Sequence, residues 1–187
     1  MTTLDTRSTT GLSHRSEDQV SQNAYDVALL VIRLALGFLL VGHGTQKLFG
    51  WFGGGGLEGT GQFFTMVGYP SGKTFALVAG LTETLGGLGL ALGLLTPLAG
   101  AAVLGTMLNA MSVNSGGGFF MMDKDGGMEL DILVAATATA TGLALSGPGR
   151  IAADRFLPVL RTHRLVYGVA AVILAAVTAG VVLLVRN

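Results

Sequence analysis

The sequence predicts an all-α, polytopic membrane helix bundle, and three observations predict it. Five apolar stretches of span length or close to it follow one another: Val27–Phe49, Phe75–Leu95, Leu98–Val113, Leu130–Leu145 and Leu165–Val185. Only 12% of the 187 residues are charged and mean hydropathy is +0.64, where a soluble domain carries roughly 25% charge. Arg33 and Glu83 stand inside two of the stretches. A charge at mid-span costs about 2.5–3.5 kcal/mol on insertion scales, so both must turn to the bundle interior and find partners.

Residues 1–24 are rich in Ser and Thr, carry Arg7, Arg15, Glu17 and Asp18, and show no apolar periodicity. They read as a disordered cytoplasmic tail. No A-x-A cleavage pattern follows the first apolar run, which therefore reads as an uncleaved anchor. Its far end carries Trp51 and Phe52, placed as interfacial aromatics. The Gly53–Gly56 run reads as a flexible loop. Gly68-Tyr69-Pro70-Ser71-Gly72-Lys73-Thr74 imitates a nucleotide P-loop but has three residues where four must separate the glycines, so it reads as a turn with Lys73 anchoring the second span.

Gly37 and Gly44 on the first span, and Gly86, Gly89 and Gly93 on the second, allow backbones to approach closely. The third and fourth segments are short and must borrow interfacial residues or sit in thinned bilayer. Ala171, Ala175 and Ala179 give the fifth a small-residue face, suited to docking on the other helices or to self-association. Arg150, Arg155, Arg161 and Arg164 fall on the side of the N-terminus, with Arg7 and Arg15. Lys47, Lys73, Lys124 and Arg186 fall on the other. The positive-inside rule then places the N-terminus in the cytoplasm and the C-terminus outside.

A net charge of zero excludes a nucleic-acid partner, which requires a basic face. With no cysteine, the chain has no disulfide, no iron–sulfur cluster and no thiol redox shuttle of its own. Haem is excluded too, because His14 and His163 fall on the side opposite His43 and leave no second intramembrane histidine. No metal site is expected. The acidic group Asp123, Asp125, Glu129 and Asp131 departs from the EF-hand spacing, and Glu129 and Asp131 are accounted for as charges at a helix N-terminus. Met66, Met107, Met111, Met121, Met122 and Met128 cluster toward the outer side with His43, either as soft copper(I) ligands or, more simply, as adaptable packing.

Arg33 lies about 6 Å inside the midplane and Glu83 about 3 Å outside it at 1.5 Å per residue, an offset that two long side chains bridge. The expectation is a buried Arg33–Glu83 pair that lines a ligand cavity or, with equal weight, fixes helix register. His43 and Lys47 are one turn apart and share a face, so they can contact an anionic or quinone headgroup, or snorkel to the interface.

These residues carry a resemblance to the DoxX family of bacterial membrane proteins. Arg33 with Gly37, Gly42-His43-Gly44-Thr45-Gln46-Lys47, Glu83 with Gly86-Gly87, Gly93-Leu94-Leu95-Thr96, Gly127-Met128-Glu129-Leu130, and Gly147-Pro148-Gly149-Arg150 with Asp154 carry it, from Arg33 to Asp154. The resemblance implies a four-helix DoxX-like core over 25–155, with 156–187 as a linker and an additional C-terminal transmembrane helix. Relatives are linked to thiosulfate:quinone oxidoreductase and to membrane redox-defence complexes. The family's terminal pattern often has a Ser between its Arg and Asp, where this chain has Ile151, Ala152 and Ala153.

The reading that follows is a small subunit of a redox complex in the bacterial cytoplasmic membrane. It would hold a quinone or dock a peripheral oxidoreductase, among membrane lipids and other redox subunits or copies of itself. Arg33, His43, Lys47 and Glu83 are the cofactor-binding candidates, and Glu129, Arg150 and Asp154 the structural or partner-binding ones. The competing classes are a non-catalytic scaffold or assembly factor, whose charges only pin helices, and a small transporter.

Overall fold

The computed structural model describes residues 7–114, 130–160 and 164–186, with side chains from Gln22 in the first helix and Ile132 in the fifth. Its helices are α1 (Arg7–Phe49), α2 (Gly56–Met66), α3 (Gly72–Leu92), α4 (Thr96–Val113), α5 (Leu130–Ser146) and α6 (Leu165–Val185). Four are long and apolar enough to cross a membrane, over Gln22–Phe49, Gly72–Leu92, Thr96–Val113 and Leu165–Val185. The apolar part of α5, Ile132–Ser146, is shorter and packs against α4 and α6.

Two elements depart from the sequence expectation. Helix α1 begins at Arg7, within the stretch read as a disordered tail. Extending a helix already nucleated by the span adds one hydrogen bond per residue fixed, so polar residues without periodicity still join it. The glycine run links two helical elements: Gly53 closes a short 3-10 turn, Trp51–Gly53, and Gly56 opens α2. A Cβ on Gly54 would stand 2.5 Å from the Gln46 carbonyl oxygen, so this glycine is a close approach rather than slack.

The α1–α3 contact sets the frame. The two helices run antiparallel with Gly37 against Gly87 and Gly44 against Gly80, a constant register along their length. A Cβ on Gly44 would fall 2.2 Å from Thr84 Oγ1 and 2.7 Å from both Thr84 N and Gly80 O. Because two of these atoms are backbone, the helices would have to part. Gly44→Val is therefore expected to destabilise the protein by about 3 kcal/mol, the upper end for overpacking. Gly42→Val, whose Cβ would meet nothing within 4 Å, is expected to stay within about 0.5 kcal/mol of wild type. Melting midpoints in the same detergent compare the two.

The core is built of Leu36, Leu40, Leu90, Val103, Met107 and Leu133, contributed by α1, α3, α4 and α5. The small-residue face of α6 docks: Ala171 and Ala175 pack on Ala101 and Leu104 of α4. A Cβ on Gly168 would stand 2.3 Å from the Ala144 carbonyl oxygen of α5. Helix α2 lies over one end of the bundle, against α1 and α3.

Candidate functional site

The register separates the two intramembrane charges. Position 41 of α1 lies opposite Glu83, so Arg33 is eight residues, or about 12 Å of helix, from it. The expected Arg33–Glu83 pair does not form, and each residue has other partners at its own end of the bundle.

Arg33 is fully buried and donates through Nη2 to the Ile151 carbonyl. It lies against Gly93, where a Cβ would overlap Arg33 Nη1 and crowd Ala152. Gly93 also ends α3 at φ +64°, a conformation glycine adopts without penalty. Asp154, likewise buried, accepts from the backbone N–H groups of Leu95 (2.6 Å) and Thr96 (2.9 Å) at the start of α4, and its own N–H donates to Gly93 O at 2.8 Å. The cation thus faces a helix C-terminus and the carboxylate a helix N-terminus, each at the dipole end that favours it. Their charges lie within electrostatic range of one another. Asp26, one turn into the apolar part of α1, accepts from the Arg150 N–H at 2.8 Å, with Arg150 Nε 3.9 Å from its other oxygen. Sequence reading passed over Asp26, although it lies seven residues before Arg33 on the same helix face.

Glu83 is 2% exposed and receives a hydrogen bond from Lys47 Nζ at 2.7 Å; Lys47 itself is 23% exposed. Both line a cavity of about 620 Å³, as do His43 and Gln46 of α1, a volume typical of small-molecule sites. Phe63 and Phe64 of α2, with Phe75 of α3, wall it with rings, and Met107 of α4 and Leu133 of α5 contribute apolar surface. The α1 face predicted from His43 and Lys47 is therefore brought together with Glu83, and Arg33 is not part of the lining.

Two more cavity residues, Tyr69 and Asn109, escaped sequence reading. Tyr69, buried in the turn between α2 and α3, donates its hydroxyl to Asn109 Oδ1 of α4 at 3.3 Å. Burial pushes its phenol pKa up, against the opposing pull of Arg186, so it stays a donor at neutral pH. Arg186, just past α6, donates to Val67 O at 2.8 Å and Ser112 Oγ at 3.2 Å, with its guanidinium 6.0 Å from the Tyr69 ring centre. Only the polar residues Tyr69 and Asn109 inside apolar surroundings could have signalled this.

Glu129, Asp123, Asp125, Met121, Met122 and Met128 lie outside the described residues. Of the other methionines, Met66 is exposed, Met107 belongs to the core, and Met111 Sδ accepts from the Thr137 hydroxyl at 3.4 Å. Lys73, expected as an anchor, pairs with Glu58 of α2.

A family model described as DoxX matches residues 28–116. The chain is 30% identical over 134 residues, covering 72% of it and 90% of the relative, to a Bacillus subtilis (strain 168) protein named "Putative oxidoreductase CatD". No solved structure matches it.

Proposed function

The chain belongs to the DoxX family, and from that premise we propose that it is a membrane subunit of a redox system that holds a quinone headgroup in the cavity beside Lys47. The observation that carries the reading is the buried Lys47–Glu83 pair on the wall of an aromatic-lined cavity. The donor set fits a quinone: the Lys47 ammonium and His43 imidazole can hydrogen-bond carbonyl oxygens, while Phe63, Phe64 and Phe75 offer apolar walls to a ring. Glu83 holds Lys47 in place and balances its charge. A bound quinone supplies two-electron, two-proton redox chemistry. With no cysteine in the chain, its electrons come from a docked oxidoreductase or another subunit. The relative's name supports a redox role.

In this reading the protein sits in the bacterial cytoplasmic membrane with the Arg33 end inside and the Lys47 end outside. The basic residues Arg150, Arg155 and Arg164 at the Arg33 end support that orientation. Arg33, Arg150 and Asp154 then act as structural residues, which is the scaffold role anticipated for intramembrane charge, confined to one end of the bundle. Quinone titration of the purified protein in nanodiscs tests the reading, followed by quenching of Trp51, the chain's one tryptophan. Saturable quenching weakened about tenfold or more in His43→Ala, as loss of a hydrogen bond to a charged or buried group allows, is the expected result. Equal quenching in wild type and variant overturns it.

A further inference from the structure

Helices α3 and α6 both pack on α4 but scarcely touch one another. The same cavity that holds Lys47 and Glu83 continues into the gap between them, walled by Val78 and Thr82 of α3 and by Thr178, Ala179 and Val182 of α6. Its floor is the α4 face carrying Ala102, Gly105 and Asn109, spaced i, i+3 and i+7. A Cβ on Gly86 of α3 would lie 3.6 Å from Ala102 Cβ, and one on Gly105 would lie 3.6 Å from the Ala175 carbonyl of α6, so these floor residues do sit between the two walls.

The chemistry of the two parts differs. Three polar side chains of the groove are turned onto their own backbone: Thr106 Oγ1 donates to Ala102 O at 3.0 Å, Asn109 Nδ2 to Gly105 O at 2.9 Å, and Thr178 Oγ1 to Leu174 O at 2.9 Å. With these groups satisfied, the groove offers an occupant largely methyl and methylene surface. At the other part of the cavity stand an ammonium, an imidazole and an amide. The groove is flanked by exposed Val78 and Leu85 on one helix and Leu174 and Val181 on the other, surfaces that meet hydrocarbon in a bilayer. Toward the α6 C-terminus, on the Lys47 side of the bundle, the groove is tied across by Arg186, which reaches to Val67 and Ser112. The side left open is the lateral one.

We propose that the α3–α6 groove receives the hydrocarbon tail of the ligand and is its way in from the bilayer, so that the ligand class is a long-chain, membrane-dissolved quinone and not a water-soluble aromatic. This rests on the quinone reading of the Lys47 chamber and adds to it an occupant for the apolar half. A polar chamber continuous with an apolar, lipid-facing groove is complementary to one amphiphile, with its head at Lys47 and its tail along Ala102 and Gly105.

The test uses two quinones with the same ring, 2,3-dimethoxy-5-methyl-1,4-benzoquinone without a tail and its decyl-tailed analogue. Both are titrated into the full chain in nanodiscs, with the tailed affinity expressed per lipid. Ala102→Phe fills the floor, and Thr178→Phe, at an exposed position, narrows the wall without entering the core. Each variant is expected to weaken the tailed quinone about tenfold or more, since losing the burial of two methylenes suffices for that. The tailless quinone is expected to bind as in wild type. If a folded Thr178→Phe weakens both quinones equally or neither, the tail groove is overturned while the headgroup site stands. If wild type binds neither quinone, the headgroup reading fails and the groove assignment falls with it.

Discussion

Asp154→Ala is expected to cost about 3–5 kcal/mol of stability, the range for stripping one partner from a buried charged pair. The carboxylate serves two helices at once. Its oxygens satisfy the Leu95 and Thr96 N–H groups at the start of α4, and its charge offsets the fully buried Arg33 guanidinium, whose Nε and Nη1 have no hydrogen-bond partner among the described residues. Removing it orphans two donors and leaves a cation in apolar surroundings. The double variant Arg33→Met with Asp154→Ser separates these effects, because serine can still cap the helix and no charge remains to be balanced. It is expected to recover most of the loss. Thermal stability followed by size-exclusion chromatography reads the series. Asp154→Ala melting within about 1 kcal/mol of wild type, an ordinary surface effect, would rule out this double role of Asp154.

The second large effect is at the other end of the bundle. Lys47→Met leaves the Glu83 carboxylate buried without its cation, and a loss near 3 kcal/mol is expected, the low end of the buried-pair range because Lys47 keeps some solvent. Replacing both, Lys47→Met with Glu83→Leu, is expected to restore stability to wild type or above it, as apolar replacement of buried pairs often does. Quinone binding is expected to stay lost in the double variant. Stability and binding therefore part company at this pair, whereas at Arg33 and Asp154 only stability is at stake. A stable double variant that still binds quinone with wild-type affinity would remove Lys47 and Glu83 from the site.

Helix positions were legible in the sequence because apolar length and hydropathy mark them directly, and so were Gly37 and Gly44 on the α1 side of the α1–α3 contact, whereas their α3 partners are Gly87 and Gly80 and the expected Gly86 and Gly89 face α4 instead. Pairing across helices was not. Arg33 and Glu83 are both intramembrane, and a midplane estimate put them within reach of each other. The register fixed by Gly37 against Gly87 moves them about two helical turns apart and gives Glu83 to Lys47 instead. Nothing in a single chain's residue types encodes that register, since many glycine pairings satisfy close approach equally well. Helix α2 was missed for a different reason: its glycines, Gly56, Gly59 and Gly61, weaken local helix propensity. One of them serves a close contact, Gly61 lying so near Lys73 that a Cβ would stand 2.9 Å from its Cα, and Gly56 takes a positive φ of +59°. His43 and Lys47 were found because four-residue spacing on one helix is a local signal. Arg186 and Tyr69 meet only in the folded bundle.

The wall supplied by α6 also fixes a sequence of events in time. Thr178, Ala179, Val182 and the Arg186 tie come from the segment translated after every other helix described. While α6 is still in the ribosomal tunnel, α1 through α5 can already pair, but Ala102, Gly105 and Asn109 face open lipid. The groove acquires its second side when the sixth helix is released laterally into the membrane. Biogenesis therefore makes this cavity last, after the charges at both ends have already found their partners.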